Sequence, residues 1–172
     1  MPRIDHFTTH FMNVKQAYDS KGKSPLFYAD GSDVPKSESD DLYKYLTSDY
    51  KSGCYTWLDA LFREKNGNWF IETDHRVWNG KLEGKTYDLE CPIRKDIYVN
   101  LNFNKQGFPT AECGNQNYSQ GNNIKFWHPR DKRVAGFDAD SIWADLLCSG
   151  DLQYSDSSLG VFVCAEGAAP KK

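Results

Sequence analysis

Apolar residues recur at three- and four-residue spacing through the first third of the chain. Ile4, Phe7, Phe11, Val14 and Tyr18 form one stripe, which predicts an amphipathic helix over residues 4–18. Turn-forming residues dominate 19–37, with Leu26-Phe27-Tyr28 as a short extended piece between them. Ser37 followed by Asp40 reads as a capping box. Leu42, Tyr45 and Leu46 then give a second helical face that ends near Tyr50. Cys54, Trp57, Leu58, Leu61 and Phe62 keep the same spacing and predict a third helix, closed before Asn66-Gly67-Asn68.

The period changes to two after residue 68. Trp69 to Glu72 reads as a strand, and Asn79-Gly80 between Arg76-Val77-Trp78 and Lys81-Leu82 is a hairpin signal. Thr86 to Leu89 suggests another short strand. In 97–103, Ile97, Val99, Leu101 and Phe103 alternate with Tyr98, Asn100 and Asn102, predicting a strand with one wet face. Ile124 to Trp127 continues the series. Ala139 to Cys148 reads as a last helix with Ile142, Trp143, Leu146 and Leu147 inward. Leu159 to Ala165, apolar on both faces, reads as a central strand. The expected fold is α+β: N-terminal helices on a mainly antiparallel sheet, with a C-terminal helix and strand. Residues 1–167 read as a single globular domain and 168–172 as a frayed tail.

Composition narrows the classes of function. With 172 residues and 25 rings (10 Phe, 10 Tyr, 5 Trp), the chain has the material for a core, which excludes wholesale disorder. The 21 basic and 24 acidic residues give a net charge of -3 without a basic cluster, which argues against nucleic acid. No apolar run reaches the roughly 20 residues that span a bilayer, so no membrane partner is expected. Five cysteines without CxxC spacing, and no apolar leader, suggest reduced thiols in the cytoplasm or a host cytosol. The alternative is a secreted protein with its signal peptide removed.

Residues 104–123 hold five Asn, three Gln and three Gly, too long and polar a stretch for a plain connector. With the wet face of 97–103 it forms a candidate recognition surface: Tyr98, Asn100, Asn102, Phe108, Asn115, Asn117 and Tyr118. Rings supply contact area and amides fix orientation, which suits a protein or glycan partner. The first reading is therefore a small soluble interaction protein.

The second reading is enzymatic. Cys54 follows Ser52-Gly53 and opens the expected third helix, where exposed amides would lower a thiol pKa. His75 or His128 could serve as its base, with Asp131 among the possible orienting groups. The segment Gly53-Cys54-Tyr55-Thr56-Trp57 resembles the nucleophile region of papain-like and cell-wall amidase-type cysteine hydrolases. The resemblance implies a peptidase or amidase using Cys54. Against it, Cys54 shares helical phase with Trp57, Leu58 and Leu61, which favours reading it as a core residue.

Other groups carry less. His6 and His10 have metal-binding spacing, but Phe7 stands where a zincin motif has glutamate, and no third ligand is close in sequence. Neither a metal nor a cofactor is expected. Glu72 and Asp74 could form an acid–base pair, and equally a charged strand edge.

Overall fold

The computed structural model describes residues 1–47, 54–140, 142–151 and the backbone of 159–160. The stripe beginning at Ile4 forms helix α1 (Ile4–Asp19), with Ile4, Phe7, Phe11 and Val14 buried. Phe7 and Phe11 both meet Phe137, at ring-centre distances of 4.7 and 5.8 Å, which seats α1 on a sheet. Helix α2 (Lys36–Leu46) packs on α1 through the stacked rings of Tyr18 and Tyr43, 3.8 Å apart. The expected capping box does not form. Extended Pro35 is the N-cap, so Ser37 already lies inside the first turn. Helix α2 ends at Leu46 rather than near Tyr50, and Tyr50 lies outside the described residues. Between the helices, residues 26–34 fold back on themselves, with Val34 N–H bonded to Leu26 O at 2.8 Å and Tyr28 N–H to Ser32 O at 2.9 Å.

The third helix is not there. Residues Cys54–Lys65 form strand β1. Cys54, Thr56, Leu58, Ala60 and Phe62 are buried, a period of two. The spacing of these residues fits two periods. Cys54, Leu58 and Phe62 satisfy both helical and strand spacing, while Trp57 and Leu61 lie on the other face of the strand.

Strand β2 (Asn68–Trp78) pairs with β1 and, through a two-residue loop at Asn79-Gly80, with β3 (Lys81–Asp88). Asn79 and Gly80 have φ of 49° and 73°, the left-handed pair that this hairpin needs. Strands β4 (Ile97–Asn100) and β5 (Asn123–Trp127) flank the long loop and pair antiparallel. Val99 is fully buried and Leu101 nearly so, as alternation predicts, although regular pairing stops at Asn100.

The expected helix over Ala139–Cys148 is also absent. Strands β6 (Val134–Ala139) and β7 (Ala144–Gly150) form a hairpin there. Asp140 turns the chain: its carboxylate accepts the N–H groups of Ile142 (2.8 Å) and Trp143 (3.2 Å). Ile142 and Trp143 are consequently exposed, not inward. Leu159–Gly160 forms β8, parallel to β1. The rest of the expected final strand, and residues 168–172, lie outside the described residues.

The sheet order is β3-β2-β1-β6-β7-β5-β4, with β8 on β1. Pairing is antiparallel except at β5–β7 and β1–β8, so the fold is α+β with helices on a mixed sheet. Pro2 and Arg3 run along β1, with Asp59 N–H donating to Pro2 O at 2.8 Å. Among the described residues, no helix is long and apolar enough to cross a membrane.

Candidate functional site

The amide-rich loop is an internal scaffold over much of its length. The Asn104 side-chain oxygen accepts the N–H groups of Gln106 (3.0 Å) and Phe108 (2.9 Å). Gln106 bridges to the strand end before the loop, accepting Glu90 N–H at 2.9 Å and donating to Asp88 O at 2.8 Å. Gln116 accepts Tyr98 N–H at 3.1 Å. Asn123, only 2% exposed, accepts Ser119 N–H at 2.7 Å and donates to Asn117 O at 2.9 Å. These amides supply the backbone partners that an irregular segment lacks.

The expected recognition residues therefore divide. Phe108 does not belong to the surface: it is fully buried, with its ring 6.0 Å from that of Phe62. The tight turn closed by Asn104 delivers it to the core. Tyr118 is half-buried and donates its hydroxyl to Thr47 O at 3.0 Å, tying the loop to the end of α2. Tyr98 is half-buried under the Lys125 ammonium, 5.0 Å from the ring centre. Asn100 donates to Glu112 O at 3.2 Å. Asn102, Asn115 and Asn117 remain exposed.

The structure does not bring the enzymatic candidates together. Cys54 is fully buried, and burial pushes its thiol up to about 11 despite a hydrogen bond with Tyr45. The expected helix N-terminus that would have lowered it is a strand start. The His75 ring bonds Asp59, roughly 16 Å along β1 from Cys54 at the usual rise per residue. The His128 ring bonds Asp96 at 2.6 Å, and Arg130 bonds the same carboxylate at 2.9 Å. Asp131 accepts Glu64 N–H at 2.9 Å and steadies a loop. His6 and His10 line separate cavities despite their spacing. Among the described residues, no group of three or more His, Cys, Asp or Glu is placed to hold a metal ion. Glu72 pairs with Arg63, and Asp74 with Arg3 and Lys85.

The helices and the fold-back between them enclose an open cleft of about 860 Å³. Leu26, Val34, Leu42 and Tyr45 supply its apolar wall, with Phe27 and Tyr28 exposed at the rim. Asn13, Gln16 and His10 come from α1, and Glu38 and Asp41 from α2. Tyr28 donates its hydroxyl to Glu38, which holds the rim against α2. His10 is open to the cleft yet crowded by its walls, and this crowding lowers its pKa. Burial likewise pushes Tyr45 up to about 12, with Cys54 beneath it adding to the effect.

Sequence reasoning missed this site because its residues belong to three segments. The available signal was Leu26-Phe27-Tyr28, three large apolar residues in a stretch otherwise made of turns. The chain matches no family model, no curated protein and no solved structure.

Proposed function

We propose that this is a recognition protein, and that the cleft between α1 and α2 receives an apolar or aromatic side chain of a partner protein. The carrying observation is the cleft itself. It has an apolar wall, exposed rings at its mouth and a few polar groups, the usual makeup of a binding pocket. Its volume falls in the range of roughly 300–1,000 Å³ typical of such pockets. The Phe27 ring is 63% exposed in the free protein, and covering it would remove apolar surface from water. The amide loop serves this reading indirectly, since Tyr118 and Gln120 hold Thr47 at the end of α2.

The test uses N-phenyl-1-naphthylamine, an uncharged probe that fluoresces in apolar sites. The intact protein should bind it saturably. Phe27→Ala and Leu42→Gln should each weaken binding at least about tenfold, with circular dichroism unchanged. Equal binding by wild type and both variants would overturn the assignment.

A further inference from the structure

A second site lies at the bulge in β2, away from the cleft. The β2–β3 register shifts between Thr73 and Arg76. Within the shift Asp74 adopts φ 57°, a left-handed conformation that disfavours any residue with a Cβ. Arg3, at 3.0 Å, and Lys85, at 2.9 Å, hold its carboxylate. The bulge re-aims His75 toward β1. There the Asp59 carboxylate, 6% exposed, accepts His75 backbone N–H at 3.0 Å and faces ring Nδ1 at 2.5 Å.

An ionised carboxylate can only accept, so the Nδ1 that faces it carries the proton. The neutral ring then keeps its lone pair on Nε2. The Cδ2–Nε2 edge lies over Gly84 of β3. A Cβ built there would be 2.8 Å from Cδ2 and 2.9 Å from Nε2. The ring also borders a cavity of about 490 Å³, lined by His6, Arg3, Arg76 and Glu83 among others. Stapling the bulge accounts for the two bonds to Asp59. It does not account for an imidazole ring kept at the border of a cavity, with the facing strand reduced to glycine.

We infer that Asp59 and His75 form a general-base site that activates water toward small carboxylic esters. His75 Nε2 takes a proton from water while the water oxygen bonds to the ester carbonyl carbon. The carbonyl π pair moves onto its oxygen. Collapse of this intermediate breaks the bond to the leaving alcohol, which departs with the proton returned by the imidazolium. Asp59 is a positioning residue that fixes the ring tautomer and balances the imidazolium charge. Among the described residues that line the cavity there is no Ser, Thr or Cys, and water is assigned as the nucleophile. Arg76, 3.9 Å from Glu83 and mostly exposed, is a donor available to the developing oxyanion.

The experiment follows hydrolysis of p-nitrophenyl acetate by the intact chain. The wild type should exceed the buffer rate. His75→Gln should lose at least about tenfold, the lower part of the effect general-base catalysis supplies. Asp59→Asn should lose rate and change the pH profile. Gly84→Ala should lose rate by crowding the ring. His128→Gln is the control for the weak attack that any accessible histidine makes on this ester, and should keep nearly the wild-type rate. Rates no faster than buffer, or equal losses in His75→Gln and His128→Gln, would overturn the proposal. Should Asp59→Asn fail to fold, diethyl pyrocarbonate labelling of the native wild type decides. Modification of His75 supports an accessible Nε2, and its complete protection refutes the site.

Discussion

The side-chain oxygen of Asn104 accepts the backbone N–H of Phe108 at 2.9 Å, and Phe108 is fully buried. One amide thus closes a turn and sends an aromatic ring from a polar loop into the core. Replacing Asn104 with Ala would leave the N–H groups of Gln106 and Phe108 without that partner. A stability loss of about 2 kcal/mol is expected in urea unfolding. Phe108→Ala should lose about 3–5 kcal/mol, as a full ring is removed from a packed site. A near-neutral result for Phe108→Ala would contradict its place in the core.

Gly107, beside this turn, has φ 85°, and a Cβ there would lie 2.8 Å from the backbone of Ile4 and Asp5. The loop can approach the first turn of α1 this closely because no side chain intervenes. Gly107→Ala combines a left-handed penalty with a clash against backbone, and should lower stability by at least about 2 kcal/mol. Gly114, with open space around its Cβ position, is the control, expected within about 0.5 kcal/mol of wild type.

Asp145 lies between Lys125 of β5 and Asp138 of β6 in the sheet register. Burial drives its pKa up to about 7. The Trp127 N–H opposes the shift, Asp138 and Asp140 add to it, and Lys125 opposes it. Its Oδ1 is buried and without a hydrogen-bond partner. The folded protein therefore keeps a proton that the unfolded chain releases at its ordinary value of 3.8. This contribution is full below about pH 4 and is lost as pH rises through about 7, with a span on the order of 4 kcal/mol. Asp145→Asn mimics the protonated form. Relative to wild type, its melting temperature should rise at about pH 8 and match at about pH 4. An equal offset at both pH values would disprove the linkage.

Thiol reactivity separates core cysteines from a catalytic one. Burial raises Cys54 and Cys91 to about 11 and Cys148 well above its ordinary value. Cys113 is half-buried. Iodoacetamide on the native protein, followed by peptide mapping, should label Cys113 before these three. Fast labelling of Cys54 would revive the hydrolase reading.

Legibility followed the kind of interaction that formed each element. Helix α1 was readable because its stripe from Ile4 to Val14 is local and meets a single apolar surface. The hairpin at Asn79-Gly80 was readable because the turn chemistry is contained in two residues. Cys54–Phe62 was not, since its apolar positions fit two periods and pairing with β2 and β6 decided between them. Asp140 lay inside an apparent helix, and its role emerged from hydrogen bonds to Ile142 and Trp143.

By itself, the order of residues determined an α+β chain with helices first, the wet alternation around Val99 and the absence of a basic field. These depend on near neighbours and on composition. Tertiary structure decided which amides face inward, which thiols are shielded, and that Leu26, Leu42 and His10 border one cleft. It also decided that Asp59 meets His75 across a bulge. Those outcomes depend on strand register and on contacts between distant segments, where one shift in pairing reverses which side chains face the core.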